Sequence, residues 1–394
     1  MTIRRDIAEQ VLECAAQLPV ATVTGPRQSG KTTLCRQLFA GHPYVSLEDP
    51  AIRQFAFNDP KRFLGGYPNG AILDEVQRAP ELLSYLQGLV DADATPGRWI
   101  LTGSQNLSLL SQVSQSLAGR TGIFHLLPLS RREALRFPKA PTTLEEALFM
   151  GGYPRIFDQQ LQPSAWLGMY AASYLERDVR QILNIGNMAT FQRFIQLAAG
   201  RTSQALNISE LAGDCGVAPA TVGNWLSVLE ASYITFRLPP YFRNISKRLA
   251  KTPKLYFYDT GLACWLLGIQ TPGQLRLHPL RGALFETWVV SELAKLRTRR
   301  DPALARGMYF YREKNVGEVD LLLERPQGVL LVEAKSGATP DPSMLAQPRR
   351  ARRHFDATDI ACDIAVAYGG DQAHHTGAGP IVPWHALGGL EDGA

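Results

Sequence analysis

Short apolar runs rich in β-branched residues alternate with longer amphipathic stretches through the first third of the chain. Leu18–Thr24 (LPVATVT) is the first such run, and it predicts a buried strand that enters a turn at Gly25, with a helix starting at Lys31. Gly70–Leu73, Arg98–Thr102 and Ile123–Leu127 predict further buried strands, and the intervals between them are long enough to hold helices. That alternation predicts an α/β class with a parallel sheet.

From about Thr142 to Gly200 the period becomes helical, and Trp166, Tyr170 and Tyr174 fall at i, i+4 and i+8 on one face, a stripe read as core. Ile208–Cys215, a break at Gly216–Val217, and Ala218–Ala231 with Pro219 in its first turn have helix-turn-helix spacing. A boundary is expected near Leu275–Pro279. Beyond it the pattern predicts a helix over Leu284–Leu296 and strands at Met308–Tyr311, Glu318–Glu324, Val329–Ala334 and Ile360–Tyr368. The last twenty residues or so are rich in Gly and Pro and read as a loosely ordered tail.

Composition changes this picture only by exclusion. At 394 residues with 45% apolar content the chain suits two or three packed domains and is not disordered throughout. A formal net charge of +5 does not announce a nucleic-acid binder, so any basic surface must be local. Cys14, Cys35, Cys215, Cys264 and Cys362 are scattered and form no CxxC pair, which argues against a disulfide framework or a zinc site and for a reducing compartment. No apolar run approaches the roughly 18 residues of a membrane span, and Asp6, Glu9 and Glu13 interrupt the start where a signal peptide would be apolar. A soluble, cytoplasmic protein without a membrane partner is expected.

Gly25-Pro26-Arg27-Gln28-Ser29-Gly30-Lys31-Thr32 fits G-x-x-x-x-G-K-[ST] in full, between a predicted strand and a predicted helix. Such a loop turns its backbone N–H groups around phosphate oxygens at a helix N-terminus, so ATP with Mg²⁺ is the expected ligand. Lys31 would reach the β- and γ-phosphates, and Thr32 would ligate the metal. Ile72-Leu73-Asp74-Glu75 ends a second predicted strand in two carboxylates, with Asp74 placed to hold Mg²⁺ through water and Glu75 to polarise the attacking water. Ser104, at the end of the strand Trp99–Thr102, either senses the γ-phosphate or simply caps a loop. Arg120 either supplies an arginine finger, in cis or to a neighbouring subunit, or makes a surface salt bridge.

A second constellation lies near the end. The period of two places Val329, Leu331, Glu333 and Lys335 on one strand face, and the short link through Pro326-Gln327-Gly328 predicts a hairpin that brings Asp320 towards Glu333. Glu286 has Val289, Val290 and Leu293 at +3, +4 and +7, an apolar face where a lone carboxylate is costly. Asp, Glu-x-Lys and a helical Glu fit a Mg²⁺-dependent phosphodiesterase, with carboxylates on the metal and Lys335 helping to activate water; the alternative is a salt-bridged strand pair without chemistry.

Taken together, GPRQSGKTT (Gly25–Thr33), ILDE (Ile72–Glu75), LTGSQ (Leu101–Gln105), LAGR (Leu117–Arg120), GGYP (Gly151–Pro154), YLERDV (Tyr174–Val179), FYDTGL (Phe257–Leu262), GALFE (Gly282–Glu286), GEVD (Gly317–Asp320) and EAKSG (Glu333–Gly337) resemble a prokaryotic family of AAA-type P-loop ATPases joined to a C-terminal domain of unknown function. The resemblance implies a P-loop ATPase domain over 1–135, a helical lid over 136–200, a winged-helix-like region over 201–275 and, over 276–394, a restriction-endonuclease-like α/β domain of the PD-(D/E)xK nuclease fold. Residue by residue it carries over a nucleotide-binding loop at Gly25, Pro26, Arg27, Gln28, Ser29, Gly30, Lys31, Thr32 and Thr33, and a nuclease-type set at Glu286, Asp320, Glu333 and Lys335. Three functions are open: an ATPase coupled to a domain that binds or cleaves DNA, a nucleotide-controlled switch that binds a protein partner and carries a silent nuclease-like domain, or a nucleic-acid-binding motor that hydrolyses no phosphodiester bond; the partner is open between DNA, another protein and a second copy of the chain. The helix Ala218–Ala231 contains no Lys or Arg, which favours packing over DNA reading. Basic residues gather instead at Arg243, Lys247, Arg248, Lys251 and Lys254, and at Arg349, Arg350, Arg352 and Arg353, as solvated faces or as phosphate-tracking patches.

Overall fold

The computed structural model describes residues 2–104, 113, 116–175, 187–242, 251–299, 305–314, 316–356 and 358–392. Arg243, Lys247, Arg248 and most of the YLERDV motif lie outside them, as does the side chain of Tyr174. The chain divides into two compact units: one holds Met1–Pro128 with Ala231–Tyr233 and Thr298–Pro302, the other holds the remainder.

The first unit contains a five-stranded parallel sheet in the order β2-β3-β4-β1-β5, made of β1 (Val20–Thr24), β2 (Tyr44–Ser46), β3 (Ala71–Asp74), β4 (Trp99–Gly103) and β5 (Thr121–His125). Successive residues of its central strands go to opposite cores: Val20, Ala71, Leu73, Trp99 and Leu101 to one, and Ala21, Val23, Ile72 and Ile100 to the other. With both faces covered, the strands have no polar side, which is why they read as unbroken apolar runs. The four strands anticipated from those runs are present, whereas β2, three residues with one fully buried position, has too short a pattern to read.

In the second unit, Trp166 and Tyr170 stack with ring centroids 5.3 Å apart, and Tyr153 packs on both. The helices Ile208–Cys215 and Pro219–Ala231 follow, with Trp225 against Phe191 and Phe194 at 5.3 and 5.1 Å. The second of these helices is thus held by aromatic packing. An antiparallel pair, β6 (Thr235–Leu238) and β7 (Lys254–Phe257), comes next. The C-terminal part is a mixed six-stranded sheet in the order β12-β13-β11-β10-β9-β8, from β8 (Met308–Glu313), β9 (Gly317–Arg325), β10 (Gly328–Lys335), β11 (Cys362–Tyr368), β12 (His374–Thr376) and β13 (Gly379–Pro383). The helix Arg281–Thr298, up to Arg297, belongs to the same unit.

Side chains tie this unit across the segments 136–200, 201–275 and 276–394: Glu145 pairs with Arg281 at 2.6 Å, the Gly152 N–H donates to Asp259 at 2.7 Å, and the Thr202 and Thr287 hydroxyls are 2.7 Å apart. The tail is not loose. Ile381 and Val382 of β13 pair in parallel with Val366 and Ala367 of β11, and Trp384, 1% exposed, accepts at its carbonyl from the Trp288 indole at 3.4 Å. A Gly- and Pro-rich composition hid one short apolar strand and its anchoring tryptophan.

Candidate functional site

The loop after β1 has the shape its sequence requires. Gly25 (φ +148°) lies so close to the Leu126 backbone that a Cβ would strike the carbonyl, and Gly30 (φ +94°) turns the chain into the helix Lys31–Leu38. Gln28 between them is also left-handed at φ +63°, so the loop alternates backbone handedness as anion-binding nests do. Arg5, buried and far away in sequence, braces it by donating to the carbonyls of Ser29 at 2.7 Å and Leu127 at 2.8 Å. Pro26 is buried, Thr33 is exposed on the helix, and Arg27 pairs with Glu48 at 3.6 Å.

Lys31 is 5% exposed, and its ammonium donates to the carbonyls of Gly25 at 3.0 Å and Pro26 at 2.8 Å. Burial pulls its pKa down to about 8 against the opposing pull of the Glu75 and Asp74 carboxylates. The Ser29 hydroxyl is buried without a hydrogen-bond partner. A buried cation held only by carbonyls, a buried orphan hydroxyl and N–H groups at a helix start together fit a polyphosphate.

Asp74 ends β3 beside the loop. It accepts from the Thr32 hydroxyl at 3.1–3.2 Å, from the Tyr44 phenol at 2.6 Å and from the Thr102 hydroxyl. The register explains this: Ser46 of β2 pairs with Asp74, and Leu101 of β4 pairs with Leu73, so Thr102 stands beside the carboxylate. Burial, followed by Asp74 itself, pushes the Tyr44 phenol up to about 12, which keeps it a donor. Glu75, at φ +56°, accepts from Ser104 at 2.8 Å and from Gln77. Ser104 is therefore engaged by Glu75. Tyr44, Gln77 and Thr102 carry no motif; the parallel register brings in Tyr44 and Thr102, and the turn after β3 brings in Gln77.

Arg120 is not brought to this site. It directly precedes Thr121, which pairs with Val20 at the start of β1, whereas the loop begins after Thr24 at the other end. The five residues of β1 at about 3.3 Å each separate the two by roughly 16 Å. Arg120 pairs instead with Asp91 at 2.5 Å, which corrects the expectation of a finger acting in cis. An unforeseen residue does reach the strand ends: Tyr233, 1% exposed, bonds Thr24 at 3.1 Å and His125 at 2.8 Å, immediately before the loop. Burial lowers the His125 pKa to about 4, so the ring is neutral.

The second cluster gathers Glu286 and Asp320 around a cation, and that cation is Lys254. Its side chain is 5% exposed, and its ammonium lies 2.9 Å from Glu286, 2.7 Å from Glu318 and 3.8 Å from Asp320. Burial alone would lower the Lys254 pKa; the three carboxylates outweigh it and raise the value. Tyr256 donates to Glu286 at 2.6 Å, and the Ala334 N–H donates to Asp320 at 2.9 Å. The hairpin is present, with Leu321 opposite Val332, but Glu333 turns to Lys335 at 2.6 Å, and its other oxygen is buried without a partner. Burial and then the Asp320 charge raise Glu286 and Glu333 to about 7. Among the described residues no group of three or more His, Cys, Asp or Glu is arranged to hold a metal ion. Of the expected metal set Glu286, Asp320 and Glu333, the first two face an internal ammonium and the third pairs with a different lysine.

A phosphate loop after β1, backed by a strand-end carboxylate on a parallel sheet, defines an AAA-type P-loop ATPase domain, and the AAA domain family matches residues 17–135. Two families described only as domains of unknown function, DUF8612 and DUF4143, match residues 141–273 and 281–387. The chain belongs to the family of the uncharacterized protein Rv2008c of Mycobacterium tuberculosis, with 32% identity over 343 residues that cover 86% of this chain and 75% of that protein. The uncharacterized protein MJ1544 of Methanocaldococcus jannaschii is 22% identical over 335 residues, which cover 77% of this chain and 72% of that protein. Among solved structures, a Walker-type ATPase of Pyrococcus abyssi is loosely similar, with a TM-score of 0.44, 16% identity, and coverage of 68% of this chain and 96% of that one. RuvB of Thermotoga maritima is looser still, with a TM-score of 0.32, 20% identity, and coverage of 59% and 87%. No helix among the described residues is long and apolar enough to cross a membrane.

Proposed function

We propose that this protein hydrolyses ATP with Mg²⁺ at the loop after β1 and that its C-terminal part contacts DNA. One observation carries the ATPase reading: Lys31, Thr32 and Asp74 converge at the loop, with the Thr32 hydroxyl on the Asp74 carboxylate and the ammonium over the loop carbonyls. Thr32 and Asp74 would hold Mg²⁺, which when bound neutralises charge on the transferred phosphoryl group. Lys31 exchanges carbonyl oxygens for phosphate oxygens, a stronger charge-assisted contact. Glu75 takes the proton of the attacking water, while Ser104 and Gln77 hold its carboxylate in place.

The DNA reading is supported by the helix Ala346–Asp356. Its apolar face, Pro348, Ala351 and Phe355, is buried, whereas Arg349, Arg350, Arg352 and Arg353 are exposed and make no ion pair with a described residue. Guanidinium groups left on a helix surface suit phosphate oxygens.

Steady-state ATP turnover with and without duplex DNA tests both parts. Lys31→Ala and Glu75→Gln should lose about 10²- to 10⁴-fold in turnover. Replacement of the four arginines by Ala should leave basal turnover intact and remove both DNA stimulation and the salt-dependent DNA affinity. Undiminished hydrolysis in Lys31→Ala would overturn the assignment of the site.

A further inference from the structure

We propose that Lys254 is the resident cation of the C-terminal carboxylate cluster, holding the place a divalent metal would need, so that this site works without metal and cleaves no phosphodiester bond. The inference stands apart from the ATPase reading, because none of its residues belongs to the phosphate loop. The nuclease-type residues Glu286 and Asp320 are present, yet one buried ammonium already stands among them and Glu318.

The ammonium stands among the oxygens a divalent ion would have to gather: those of Glu318, Glu286 and Asp320 lie 2.7, 2.9 and 3.8 Å from the Lys254 nitrogen, and Mg²⁺ would need them at about 2.0–2.1 Å. Part of their remaining capacity is committed: the Glu286 oxygen on Lys254 also accepts from Tyr256, and the second Asp320 oxygen accepts from the Ala334 N–H. Glu333, which a metal would need as a further ligand, pairs with Lys335. A divalent ion entering here must expel a lysine that is 4% exposed, and it meets that lysine's positive charge while it does so. Lys254 itself comes from β7, outside the six-stranded sheet, so the closing charge arrives through tertiary packing.

The test is a Mn²⁺ titration of the full chain without nucleotide, followed by electron paramagnetic resonance. The wild-type isotherm should be unchanged by Asp320→Asn, and wild type should leave duplex DNA uncut in Mg²⁺ or Mn²⁺. Lys254→Met should gain one Mn²⁺ per chain, and that ion should be lost again in Lys254→Met with Asp320→Asn. A wild-type Mn²⁺ site that disappears in Asp320→Asn would overturn the proposal, as would a folded Lys254→Met chain that takes up no extra ion. Where Lys254→Met does not fold, the comparison of wild type with Asp320→Asn decides alone.

Discussion

Two buried lysines, Lys31 and Lys254, are nearly equally removed from water and have opposite fates. Lys31 is held by the carbonyls of Gly25 and Pro26, which are neutral, so burial dominates and its pKa falls to about 8. Lys254 sits among three carboxylates, and its pKa is raised. The first ammonium still has charge to offer an anion. The second has already found its counter-charges, and the difference lies wholly in the acceptors packed around each side chain.

The sharpest way to break this comparison is to delete each charge. Lys254→Ala strands buried carboxylates and should destabilise the protein by about 3–5 kcal/mol, whereas Lys31→Ala removes a poorly compensated ammonium and should change stability by less than about 1 kcal/mol, both read from urea unfolding. Equal losses would show that the two lysines are not energetically different.

Next in size is the pH dependence of the C-terminal cluster. Burial and Asp320 raise the Glu333 pKa from 4.5 to about 7 in the folded chain, so the folded state holds this proton more tightly than the unfolded state does. The resulting stability is full below pH 4.5 and is lost as the pH rises through about 7. Urea melts at pH 5 and pH 8 should therefore show wild type losing of the order of 1–3 kcal/mol, with the slope flattened in Glu333→Gln, whose amide stays neutral.

The phosphate loop should respond to pH through Lys31. Phosphate binding favours the ammonium, and the free chain loses that proton as the pH passes about 8, so ATP should bind about tenfold more weakly at pH 9 than at pH 7, as measured by calorimetry. A flat profile to pH 9 would mean that the loop holds the proton more firmly than its burial implies.

Arg120→Ala should have the smallest effect. Its pair with Asp91 is exposed, so stability should change by no more than about 0.5 kcal/mol, and turnover of dilute protein should be unaltered. A turnover defect that appears only at high protein concentration would place Arg120 at a neighbour's site.

The strands of the first sheet were legible because burial on both faces writes them as continuous apolar runs, and β3 and β4 differ from the expected bounds by one residue at each end. The tail was misread because β13 is short and is held by β11, a partner no local pattern reveals. At the second site, the four motif residues were legible by type, but Lys254 was read only as part of a basic run, and its partners Glu286 and Asp320 lie 32 and 66 positions away.

The sequence alone determined the phosphate loop, because eight consecutive residues contain both the glycines that bend the backbone and the lysine that follows it into a helix. Tertiary structure alone decided which charges meet elsewhere: it set Arg120 against Asp91 at the far end of the sheet, and it brought Lys254 from β7 into the carboxylates. A loop's shape follows from neighbouring dihedral angles. The neutralisation of a buried carboxylate depends on whichever side chain the packing of remote segments delivers within about 4 Å of it, where Coulomb energies are large.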